Sequence, residues 1–163
     1  SDLGSNLAHR GGTSLTPCRP GLQVMVAGVG LHPFGRLPEK DLPTLAFEAV
    51  VPALGDDGVQ WRDIQVAYFG HVYYNGMSMG EGALGRLGLT GIPIINVENA
   101  CSSGSTAFWQ AYWGITTGIF DLALAFGVEK VPRGPVTVTA EDSPERYIGA
   151  DHMMAVYDLR MRR

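Results

Sequence analysis

The 163-residue sequence is poor in cysteine, with only Cys18 and Cys101. That excludes a disulfide framework and favours a reducing compartment, so a cytoplasmic location is expected. No basic run is present, and the formal charge is −4. Nucleic acid is therefore not an expected partner, because phosphate binding needs clustered Lys and Arg. The four histidines, His9, His32, His71 and His152, are scattered and share no ligand spacing with either cysteine, so no metal site is expected. The stretch 99–120 carries no charge. It holds Ser102, Ser103, Ser105, Thr106, Gln110, Thr116 and Thr117, which is too polar for lipid. It reads as a core helix, not a membrane span. No repeat of fixed period occurs.

What is present is glycine, 22 residues of it, and an ordinary 45% hydrophobic share. These suit one compact domain with many tight turns. Residues 1–21 lack apolar periodicity and read as a tail or linker, with Cys18 a bystander. The run from Leu22 to Gly30 suits a buried strand. Gly28 and Gly30 invite a dinucleotide fingerprint, but its third glycine would fall at Pro33, so that site is rejected. Asp41 is placed to cap a helix, with Pro43 in its first turn and Pro52 placed to shorten it. Gly55-Asp-Asp-Gly58 stops that helix.

Further strands are predicted at 64–72, 93–99 and 121–127, with a short helix at 79–89 and one more strand at 136–139. A final helix is predicted over 144–163. Strands and helices alternate from 22 to 127, which predicts an α/β fold with a largely parallel sheet layered with helices and right-handed crossovers.

Cys101 falls where a buried strand ends and a helix begins. A helix start carries partial positive charge, which favours thiolate over thiol. Its exposed N–H groups are also able to hold an oxyanion. Ser102, Ser103, Gly104 and Ser105 are small and leave room at the sulfur. Gly104, Ala107, Ala111, Gly114 and Gly118 line one small face of the helix, and Phe108, Tyr112, Ile115 and Ile119 a bulky one. Two apolar faces predict a buried helix. From position alone, a nucleophile and a packed structural cysteine stand level.

The segment Gly91-Ile-Pro-Ile-Ile-Asn-Val-Glu-Asn-Ala-Cys-Ser-Ser-Gly-Ser-Thr-Ala107 resembles the nucleophile segment of the thiolase superfamily. The nearest resemblance is to its sterol-carrier-protein thiolase and lipid-transfer thiolase-like branch. Leu122 to Val131, with Gly127-Val-Glu-Lys130, resembles the next strand of that branch, and Val26 to Gly30 its opening strand. The resemblance covers about residues 22–163. It implies a thiolase-like N-terminal half over 22–140, with 141–163 the start of a loop-domain insertion. It implies Cys101 as nucleophile, with its backbone N–H at an oxyanion hole. It also implies a second half, carrying a His and a Cys, that is not in these residues. The chain is expected to be a fragment, inactive alone.

Three functions follow from the resemblance. The first is a thiolase-type acyltransferase acting on 3-ketoacyl-CoA thioesters through a Cys101 acyl-enzyme, with coenzyme A as substrate and no bound cofactor. The second is a retro-aldolase of steroid side-chain CoA thioesters, working with a small OB-fold and zinc-ribbon partner protein. The third is a non-catalytic half that binds lipid or a partner. A homodimer is implied in each case. Around Cys101, Ser102, Asn99 and Gly104 are candidates for oxyanion or turn support. Glu129 is a candidate to orient active-site loops, with a structural carboxylate as the alternative. Tyr73, Tyr74 and Met77 form an apolar loop for a pocket or an interface. Tyr147, Met153 and Met154 are candidates to line an acyl tunnel or to pack against it.

Overall fold

A computed structural model describes residues 23–73 and 76–131. The tail 1–21, the elements expected at 136–139 and 144–163, and Tyr74, Tyr147, Met153 and Met154 lie outside the described residues. The chain divides into two compact units, 1–129 and 130–163, and every element below belongs to the first.

Helix α1 spans Leu42–Asp56. Asp41 caps it, its Oδ1 accepting from the Thr44 N–H at 2.8 Å, which satisfies one of the donors a helix start leaves over. Leu42, Leu45, Ala46 and Val50 form its buried face. The expected shortening at Pro52 does not occur, and the helix runs one further turn to Asp56. Pro52 is exposed, and a proline there costs one hydrogen bond near a terminus rather than the helix.

Strand β1, Val66–Gly70, is buried at every residue. Helix α2, Met79–Leu84, leads to strand β2, Ile94–Val97; helix α3, Ser103–Thr116, leads to strand β3, Ala123–Gly127. The sheet order is β2-β1-β3, with β1 parallel to both neighbours. Alternate residues of β1 serve opposite faces. Ala67 packs with Val50 of α1 and Leu84 of α2. Val66 and Tyr68 pack with Ala107 and Ala111 of α3. The chain steps from β1 outward to β2, then back across β1 to β3. Right-handed crossovers then require α2 and α3 on opposite faces, which is where they lie.

Two expectations are corrected. Residues 23–31 form no strand, and Met25 and Leu31 are 76% and 71% exposed. Their backbone lies on α1 instead. A Cβ on Gly28 or Gly30 would stand 2.1 Å from the carbonyl oxygens of Ala53 and Ala49 respectively, and the Val29 N–H donates to Asp56 Oδ2 at 3.1 Å. A pleated, apolar pattern says that a segment is able to pair, while the glycine pair lets this one approach a helix first.

Helix α3 is buried on one side, through Ser103, Ala107, Ala111, Gly114 and Thr116. Phe108, Trp109, Tyr112 and Trp113 are 43–58% exposed, with the two Trp rings 4.4 Å apart. Small side chains let the helix backbone close on the sheet, and that closeness leaves no room beneath it for the large ones.

Candidate active site

The loop after β1 leads to the α2 face and the loop after β2 to the α3 face. Where two such loops part, at the carboxyl ends of parallel strands, an α/β sheet opens its binding crevice. Cys101 lies in the second of these loops, one residue before the helix cap Ser102. Its thiol is free and exposed.

The turn that carries it is closed by its own side chains. The Ala100 N–H donates to Glu98 Oε1 at 2.7 Å. The Asn99 N–H donates to Ser103 Oγ at 2.8 Å, and that hydroxyl donates on to the Ala100 carbonyl at 2.8 Å. Asn99 Nδ2 donates to Thr106 Oγ1 at 2.9 Å, and the Ser102 N–H to the Asn99 carbonyl at 2.9 Å. Ala100 is left-handed, φ +45°. That conformation costs a residue with a Cβ about 1–2 kcal/mol, and strain of this kind persists where the surroundings overdetermine it.

Ser102 makes no side-chain cap, so its hydroxyl does not take up the first-turn N–H groups. Gly104 is exposed, and a Cβ there would meet open space. Ser103 does not leave room at the sulfur as expected; it is 3% exposed and bonded into the turn.

The neighbouring strand ends are tied to this loop. Gly70 lies against the start of α3, where a Cβ would stand 2.8 Å from Gly104 N. The His71 N–H donates to the Val97 carbonyl at 3.2 Å. The His71 ring stacks on Phe69 at 5.0 Å, and its Nδ1 is buried with no hydrogen-bond partner. Glu129 Oε2 accepts from the Val72 N–H at 2.6 Å and the Tyr73 N–H at 2.8 Å. Tyr73 is half-buried and Met77 is 95% exposed.

An apolar cavity of about 380 Å³ lies between residues 24–30, α1, α3 and β3, with Met25, Val26, Phe108, Tyr112, Ile115 and Phe126 in its wall. Neither Cys101 nor Tyr73 nor Met77 lines it. Among the described residues, no three His, Cys, Asp or Glu side chains are grouped to hold a metal ion. Nor is any described helix long and apolar enough to cross a membrane.

The left-handed turn of Ala100 and the hydroxyl relay of Ser103 are site features that sequence reasoning missed. Nothing in the residue types signals the first. The second had a faint signal, a Ser at the helix start four residues after Asn99.

A parallel sheet with an exposed cysteine on the strand-to-helix turn at its carboxyl end defines the class: an α/β protein with a thiol at the mouth of its sheet. The family model described as "Thiolase, N-terminal domain" matches residues 24–157, and the chain belongs to the thiolase family. It is 42% identical to sterol carrier protein 2 of Bos taurus over 122 residues, 74% of this chain and 22% of that protein. It is 37% identical to non-specific lipid-transfer protein-like 2 of Caenorhabditis elegans over 145 residues, 87% of this chain and 34% of the relative. Benzoylsuccinyl-CoA thiolase subunit BbsB of Thauera aromatica is 36% identical over 147 residues, 86% of this chain and 37% of its own length. The chain thus spans about a fifth to just over a third of these relatives.

Proposed function

We propose that this chain is the nucleophile-bearing part of a thiolase-type acyltransferase acting on acyl-CoA thioesters, with Cys101 as acyl acceptor. The observation that carries this reading is the exposed Cys101 thiol on the turn between β2 and α3, beside the sheet's carboxyl edge. In the degradative direction the Cys101 thiolate attacks the keto carbon of a 3-ketoacyl-CoA. The bond between that carbon and its α-carbon breaks, and the electron pair leaves with acetyl-CoA after protonation. The acyl group stays on sulfur until the thiol of a second CoA takes it and frees Cys101. Splitting one difficult displacement into two is what a covalent nucleophile contributes. In this reading the developing oxyanion is received by first-turn N–H groups of α3 beyond Ser103, whose own N–H is bonded to the Ala100 carbonyl. The acid–base groups are taken to come from a second half, and a homodimer is part of the same proposal.

The test is intact-mass analysis after exposure to a 3-ketoacyl-CoA, with the complete protein in which these residues occur. An acyl adduct on Cys101, absent in Cys101→Ser, is the expected result. No adduct from a substrate that is cleaved would end the acyltransfer reading. Carbon–carbon cleavage independent of free CoA would favour the retro-aldol alternative and its partner protein.

The apolar cavity favours a second reading, lipid binding, in keeping with the names of two relatives. Its roughly 380 Å³ is enough for part of an aliphatic chain. A fluorescent fatty acid should bind the chain and be displaced by Ala53→Leu or Ala111→Leu, which fill the wall. Unaltered binding in both would count against this reading.

A further inference from the structure

We infer that Glu129 is a positioning residue for the nucleophile loop, acting as a two-point clamp on the backbone that follows β1. Its kinetic consequence rests on the acyltransfer reading above; its geometry does not.

One carboxylate oxygen, Glu129 Oε2, accepts two consecutive backbone N–H groups, those of Val72 and Tyr73, at 2.6 and 2.8 Å. These partners lie 57 and 56 residues away in the chain. Hydrogen bonds to an ionised acceptor are about twice as strong as neutral ones. They fall where the sheet ladder has stopped, since β1 ends at Gly70. On the other flank the His71 N–H is held by the Val97 carbonyl. The exit of β1 is thus fastened on one side to the last residue of β2 and on the other to the segment leaving β3.

Both anchor points bear on the nucleophile. Val97 is the residue from which the loop 98–102 departs. Gly70, two residues before the clamped stretch, lies against Ser103 and Gly104, where that loop ends. Releasing Val72 and Tyr73 loosens the backbone that continues directly from Gly70 and His71, the residues that meet the Cys101 loop at its exit and its entrance. A misplacement of about 1 Å at a reacting group is enough to cost on the order of a hundredfold in rate.

The experiment compares wild type, Glu129→Ala and Glu129→Gln in the complete protein. Glutamine keeps an oxygen able to accept both N–H groups and loses only the charge. Two readouts are taken: amide hydrogen exchange at Val72 and Tyr73, and the rate of acyl transfer from acetoacetyl-CoA to Cys101 by mass spectrometry. Glu129→Ala is expected to lose protection at both amides and to slow acylation about tenfold to hundredfold. Glu129→Gln is expected to keep the protection and restore most of the rate. The inference is overturned if Glu129→Ala acylates at the wild-type rate, or if Glu129→Gln is as slow as Glu129→Ala. If the alanine variant does not fold, exchange in wild type and Glu129→Gln decides, and unprotected amides in either overturn the clamp. If wild-type Cys101 takes no acyl group, the acyltransfer reading fails while the amide arm still tests the clamp.

Discussion

Gly70 ends β1 so close to α3 that a Cβ on it would stand 2.8 Å from Gly104 N and 2.8 Å from the carbonyl carbon of Ser103. Backbone packs on backbone there, and neither partner is the end of a flexible side chain that could move aside. Gly70→Ala is therefore expected to destabilise the fold by about 1–3 kcal/mol, the usual cost of overpacking. Urea unfolding should show a lower midpoint with an unchanged slope. An unchanged midpoint would mean that strand and helix do not meet this closely.

Ala100 supplies the left-handed residue before Cys101, φ +45°. Glycine takes that conformation freely but loses more freedom on folding, so the two terms nearly cancel. Ala100→Gly should leave stability within about 1 kcal/mol, whereas β-branched Ala100→Val should lower it by about 1–2 kcal/mol or more. Thermal melts of the two variants test this, and equal melting points would argue against the turn.

Asp41 holds the first turn of α1 through its bond to the Thr44 N–H. Asp41→Ala should cost about 1 kcal/mol, and Asp41→Asn much less, because asparagine keeps an oxygen in the same place. Parallel denaturant curves for the pair separate capping from charge.

Glu48 links α1 to the loop before it, pairing with Lys40 and, at 2.9 Å, with His32 Nε2. The hydrogen bond from Lys40 is the main reason its carboxyl lies below its ordinary 4.5, with burial opposing and His32 adding to the effect. A depressed carboxyl contributes stability that is present above the unfolded value and lost as pH falls through the folded one. Wild type should thus exceed Glu48→Gln in melting temperature near neutrality, and the gap should close below about pH 4.5. A gap that persists at acid pH would show that the pairing does not contribute. The pair is only partly buried, so high salt should narrow the gap as well.

Much of the first unit was legible from local pattern. Asp41 and the glycine–aspartate stop bracket α1, and the apolar runs around Ala67, Ile95 and Leu124 became strands. The strand-to-helix junction at Cys101 stood in the sequence because punctuation there is local: apolar residues, a polar turn, then small residues at helical spacing. Other features were not legible. The run 22–30 reads as a strand, yet Gly28 and Gly30 lay it on α1, since pleating potential does not say which edge is within reach. The bulky side of α3 reads as core, yet Phe108, Tyr112 and Ile119 are exposed, since an amphipathic pattern cannot count the layers above a helix. Glu129 read as a possible loop support, but the groups it holds, two N–H donors more than fifty residues earlier, carry no mark in their side chains.

The sequence by itself determined the order of helices and strands from α1 to β3, the parallel α/β class and the position of Cys101 between β2 and α3. Caps, periodicity and glycine act within a few residues and can be read there. Only the tertiary structure decided that Gly70 meets Gly104, that Ala100 bends left-handed, and that Glu129 ties the β1 exit beside the Cys101 loop. Those depend on backbone groups brought together from distant parts of the chain, and a backbone N–H looks the same in every residue until folding assigns it a partner.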